Sequence, residues 1–111
     1  MGVDVELILV EQLSPTSRRE ARLISVADWL FRFASVLEGT QERGRTPMLD
    51  RIDLYGGLEL TPAEMPQFLT ELDVLLGNAQ NFGERDVIRA VRELAERCRD
   101  DEDTRLAFIG D

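Results

Sequence analysis

Histidine and lysine are missing from the 111 residues altogether, and their absence removes several kinds of chemistry at once. Without histidine there is no Ser-His-Asp or Cys-His nucleophile and no histidine-bound zinc. Without lysine there is no Schiff base, and no P-loop lysine to hold the phosphates of a nucleotide. The single cysteine, Cys98, has no internal disulfide partner, which fits a reducing compartment. No apolar run approaches the ~20 residues needed to span a bilayer. The chain opens on acids in an alternating segment, not on a basic stretch followed by an apolar one, so no signal peptide is expected. The expected location is the cytoplasm.

What the chain does have is acid. Twenty-two carboxylates face thirteen bases, all arginine, for a net charge of −9. A field of that sign repels nucleic acid and anionic membranes and attracts cationic proteins. With 43% apolar and 32% charged residues, the composition is that of one folded domain with a single modest core.

Hydrophobic periodicity predicts an α+β fold: a small antiparallel or mixed sheet packed by three helices. Val3, Val5 and Leu7 alternate with Asp4 and Glu6, giving a first strand over Val3 to Val10. Ser17 and Glu20 form a potential capping box. Leu23, Val26, Leu30, Phe33 and Leu37 then recur at helical spacing, so a helix is expected over residues 18–37, with a strand over Arg22 to Val26 as the alternative. Glu38 to Pro47 reads as a polar, mobile surface loop.

The middle of the chain reads as a hairpin. A three-residue loop, Tyr55-Gly56-Gly57, would set Leu54 opposite Leu58 and Ile52 opposite Leu60, with all four on one face. Gly57 would supply the left-handed residue at the loop's end. Thr61-Pro62-Ala63-Glu64 is a helix start, although Pro66 requires either a distorted first turn or regular helix from near Glu64. A further helix is expected over Glu84 to Arg99 and a last strand over Thr104 to Ile109.

Few residues offer chemistry. Cys98 falls on an apolar helix face, where a thiol is inert packing. Four contiguous acids, Asp100, Asp101, Glu102 and Asp103, lack the alternation and the glycine of an EF-hand loop. Asp53 and Glu59 share the polar hairpin face with Asp50 nearby, which admits paired-carboxylate catalysis only if a cleft encloses them. The stronger expectation is a protein-binding surface. Asp53 and Glu59, with the 100–103 run, would meet an Arg- or Lys-rich partner, and Tyr55 at the hairpin tip would anchor it.

The run Leu54-Tyr55-Gly56-Gly57-Leu58-Glu59-Leu60 before a capped helix resembles that of small acidic bacterial immunity proteins of polymorphic toxin systems. So does the ending Leu106-Ala107-Phe108-Ile109-Gly110-Asp111 after an Arg-Cys-Arg-Asp helix terminus. The likeness covers the second half of the chain. It implies a cytoplasmic, non-catalytic inhibitor, without cofactor or metal, that occludes one cognate toxin; acidic immunity proteins often cover the basic active site of a nuclease. The competing expectation is a regulatory or scaffolding interaction domain whose acidity is incidental. An enzyme comes third.

Overall fold

A computed structural model describes residues 2–110. Four strands form one antiparallel sheet in the order β2-β1-β4-β3, with three helices against one face. Strand β1 is Val3–Ser14, β2 is Ser17–Val26, β3 is Gly57–Leu60 and β4 is Thr104–Gly110. The helices are α1, Arg32–Thr40; α2, Met65–Gly77; and α3, Phe82–Arg99. The α+β expectation holds, with all strand pairs antiparallel.

The core follows from alternation. Val3, Val5 and Leu7 of β1, Leu106 and Phe108 of β4 and Leu60 of β3 point inward and are buried. The opposite pleat positions, Asp4, Glu6, Arg105, Ala107, Ile109 and Glu59, form the outer face. From the helices come Phe33, Leu37, Phe68, Leu72, Leu75, Ile88, Val91 and Leu94. Phe68 of α2 meets Phe108 of β4 with ring centroids 5.4 Å apart at 57°, a tilted contact that aromatic quadrupoles favour. Cys98 is buried on α3, and burial pushes its thiol pKa up, so it is packing material as expected.

Two expectations are overturned. The helix over residues 18–37 is not formed: β2 occupies Ser17–Val26, which extends the alternative strand reading toward the N-terminus, and α1 begins only at Arg32. The physical reason lies in composition. Ser17 to Arg22 holds a single apolar residue, Ala21, so nothing there draws a helical face into a core. Pairing with β1 satisfies its backbone instead, through a two-residue loop, Pro15-Thr16, that sets Ser14 opposite Ser17. The Ser17/Glu20 capping box does not form; Glu20 pairs with Arg18. β1 consequently runs four residues beyond Val10, past the end of β4, and the register slips between Leu7 and Ile8, where Leu23 is left over on β2. Arg18, near the tip of this arm, still reaches Glu59 on the opposite edge of the sheet at 2.9 Å. The arm therefore leans across the outer face.

The second correction concerns the central hairpin. No strand covers Ile52 to Leu54, and Leu58 and Leu60 pair with Phe108 and Leu106 of β4. Residues Leu49–Arg51 form a 3₁₀ turn instead. Glu71 of α2 explains this: its Oε1 accepts from the backbone N–H of Met48 and of Leu49, each at 2.9 Å, which draws the segment onto α2. Gly57 lies in β3 and is not among the left-handed residues. The facing was nonetheless correctly read, since Ile52 and Leu60 are buried and Leu54 and Leu58 pack half-buried against the core.

The second half otherwise follows the reading. Thr61 and Glu64 form a reciprocal capping box, with Thr61 N–H donating to Glu64 Oε1 at 2.9 Å. A 3₁₀ turn, Pro62–Glu64, precedes α2, so Pro66 falls in the helix's first turn, where no N–H is needed. Asn81 caps α3, its Oδ1 accepting from Glu84 N–H at 2.9 Å. The helix thus begins two residues ahead of Glu84. Asp111, the last residue of the C-terminal motif, lies outside the described residues.

Candidate functional site

Six of the seven acidic and aromatic candidates fall into two groups at opposite ends of β4. Asp53 and Tyr55 sit in the turn leading to β3, which pairs with the C-terminal end of β4. Asp100, Asp101, Glu102 and Asp103 form the turn into its N-terminal end. Six residue steps of strand separate Thr104 from Gly110, about 20 Å, so the two groups do not form one compact cluster. Glu59 lies between them on the outer face and pairs with Arg18.

Much of the C-terminal acid run is engaged in holding its own turn. Asp100 pairs with Arg99 at 2.9 Å, and that hydrogen bond holds its carboxyl below the usual range. Asp101 Oδ1 accepts from Asp103 N–H at 3.0 Å, and its carbonyl accepts from the Thr104 hydroxyl at 2.8 Å. The Asp103 carbonyl accepts from Val10 N–H at 2.7 Å, fastening the turn to β1. This is the chemistry of a tight αβ connection.

The Tyr55 end is built differently. Asp53 Oδ1 accepts from Tyr55 N–H at 2.9 Å, closing an Asx turn. Gly110 N–H donates to the Gly56 carbonyl at 2.7 Å, which docks the turn on the end of β4. Only glycine fits at that docking point, because a Cβ on Gly110 would lie within 2.5 Å of the Asp53 and Leu54 carbonyl oxygens. Tyr55 is left 65% exposed. Beside it is an open cleft of about 340 Å³ lined by Glu42, Asp50, Asp53 and Tyr55, with Gln41, Arg51, Ile52 and Leu54.

Among these groups, Asp50 accepts from Glu42 N–H at 2.9 Å and from the Thr46 hydroxyl at 3.1 Å, while Arg51 is tied to Glu64 at 2.9 Å. The arginine that lines the cleft is thus paired, and three carboxylates line it together with the exposed tyrosine. Among the described residues, no three acids or Cys98 gather closely enough to hold a metal ion. Comparison with known protein families, with characterised proteins and with solved structures finds no match.

Sequence reasoning placed Asp53 and Tyr55 together and weighed Asp50 beside Asp53 only as a catalytic carboxylate, while Glu42, and the return of the chain that brings it to Asp50, were missed. Their proximity arises from a return of the chain: Gln41 Nε2 donates to the carbonyls of Leu49 and Ile52 at 2.7 and 3.0 Å, folding the 41–47 loop against the 3₁₀ turn. The Asp50–Thr46 spacing was the only local signal of that contact.

Proposed function

We propose that this chain is a binding protein of the immunity type, which neutralises a cognate toxin by covering a basic surface of it. The observation that carries the reading is the exposed Tyr55 within the carboxylates of Glu42, Asp50 and Asp53. An aromatic anchor rimmed by one sign of charge gives a partner both a desolvated contact and a steered approach. The net charge of −9 adds long-range attraction to a cationic target, which a nuclease's substrate-binding surface provides. In this role the chain acts by occlusion and uses no cofactor.

Growth rescue tests the proposal. The product of the gene adjacent to this one is expressed alone and then together with this chain. Toxicity relieved by the wild-type chain, and relieved less by Asp53→Asn/Tyr55→Ala, supports the reading. A neighbour that is harmless, or whose toxicity is unaffected, refutes it.

A specific observation favours a second reading, a scaffolding domain with incidental acidity: the acid run at 100–103 is separated from the Tyr55 group and partly consumed in its own turn. Failure of the wild-type chain to relieve toxicity would favour that reading, whereas equal rescue by wild type and by the Asp53/Tyr55 variant would keep the inhibitor reading and move its contact away from Tyr55.

A further inference from the structure

The most unusual backbone in the molecule follows β2. Trp29, Leu30 and Phe31 are 73%, 66% and 55% exposed, and Leu30 (φ 57°, ψ 26°) and Phe31 (φ 58°, ψ 27°) are both left-handed. Two consecutive branched or aromatic residues adopt that conformation only where the surroundings impose it. Asp28 is what imposes it. Its buried carboxylate accepts from Val3 N–H at 2.8 Å, Phe33 N–H at 2.7 Å and Ala34 N–H at 2.9 Å. Its own N–H donates to Asp4 Oδ1 at 2.8 Å. The carboxylate thereby caps α1 and ties it to β1, and the three residues between are held out as a knuckle. The Phe31 ring edge lies against Gly2, where a Cβ would come within 3.3 Å of it.

Topology sets this knuckle in line with the Tyr55 turn. β2 ends, β1 begins, β4 ends and β3 begins at the same end of the sheet. Asp28 meets Asp4; Asp4 pairs across strands with Ile109; Ile109 pairs with Gly57, two residues after Tyr55. The row spans three strand spacings, about 14 Å. Along it lie five large apolar side chains exposed by 44% or more: Trp29, Leu30, Phe31, Ile109 and Tyr55. Asp4 and Asp53 are interleaved with them. Arg32, directly after the knuckle, lies over Gly83, and Arg85 lies over the Phe82 ring at 5.3 Å.

We infer that this sheet end is a preformed docking surface for a cationic protein segment, with an apolar centre formed by the Trp29–Phe31 knuckle and Ile109 and an acidic flank at Asp4, Asp53 and the Tyr55 cleft. The inference rests on the reading that a cationic partner is bound, and adds where it binds and that the contact is largely apolar. The imposed backbone is preorganisation: the anchors are ordered before binding, so association loses less entropy. Charge complementarity selects a basic amphipathic segment over an acidic one.

A synthetic leucine/arginine amphipathic helix and its leucine/glutamate counterpart serve as probes, titrated into the ¹⁵N-labelled full chain. The basic peptide should shift the Trp29 indole and the amides of residues 29–31, 53–57 and 109–110, persist partly at 0.5 M salt (about a 4 Å Debye length), and outbind the acidic peptide. Trp29→Ser/Leu30→Ser, both exposed, should weaken it about tenfold or more, and Ile109→Ser gives an independent check should the double variant misfold. Shifts centred on residues 100–103, binding abolished by salt, no binding, or unchanged affinity in both variants would overturn the inference. The two ideas fail separately. Growth rescue that survives loss of the knuckle leaves the inhibitor reading standing without this surface, and absence of rescue removes that reading while the peptide titration still decides the surface.

Discussion

Replacement of Glu71 tests the account of the middle of the chain most directly. Glu71 is buried on α2, and its Oε1 takes the N–H groups of both Met48 and Leu49 at 2.9 Å, while Oε2 accepts from Gln67 Nε2 at 2.9 Å. Glu71→Ala strands two backbone donors away from water. A buried donor left unsatisfied costs about 1–3 kcal/mol, so the loss should be about 2–6 kcal/mol. That is a large part of the roughly 5–15 kcal/mol that holds a domain folded. Glu71→Gln is the informative partner. One amide oxygen in the place of Oε1 keeps both backbone donors, and rotating the Gln67 amide by half a turn converts its donor into an acceptor. The expected loss is then about 1 kcal/mol. Urea unfolding followed by far-UV circular dichroism measures both variants. Hydrogen exchange should show amides 48–52 opening first in Glu71→Ala, because that carboxylate is what holds the 3₁₀ turn. Losses below about 0.5 kcal/mol for Glu71→Ala, or equal losses for the two variants, would refute the claim that this carboxylate replaced the hairpin by a turn.

Three further outcomes are expected. Gly110→Ala should cost about 1–3 kcal/mol from overpacking and raise hydrogen exchange at the residue 110 amide, which donates to the Gly56 carbonyl, because the new methyl meets the Asp53 and Leu54 carbonyls; unchanged exchange there would mean the turn is not docked on β4. Glu64 carries a lowered pKa, chiefly from the Thr61 N–H and with help from Arg51, relative to its ordinary 4.5. Its stabilisation is therefore present above the unfolded value and lost as pH falls through the lower folded one, so Glu64→Gln should flatten the acid limb of a plot of thermal midpoint against pH, and parallel curves would contradict this. Cys98, buried and with its thiol pKa raised by burial, should react with a thiol reagent only at the rate of unfolding; rapid labelling of the native protein would show the site is open.

Part of this protein was legible in residue order because it rests on local chemistry. The Thr61-Pro62-Ala63-Glu64 start, the dipole-matched ends of α3, the alternation of Val3, Val5 and Leu7 and the burial of Cys98 each depend on neighbours within one or two turns. The split of the acids was not legible, because whether Asp53 and Asp101 lie together depends on which strands pair. The knuckle was missed for a related reason: Leu30 and Phe31 fit a helical stripe with Phe33 and Leu37, and only the contact of Asp28 with Val3, twenty-five residues away, turns them outward.

The sequence by itself determined which faces are apolar, where α2 begins and α3 ends, and that the chain is acidic and free of histidine and lysine chemistry. The tertiary structure decided the partners. β4 took β3 in place of the Ile52–Leu54 segment, β1 took residues 17–26 from a helix, and buried Asp28 and Glu71 fixed the segments between. Periodicity reports which side chain must leave water. Backbone hydrogen bonds can be satisfied by any strand or carboxylate that arrives, and which one arrives is settled only when the whole core closes.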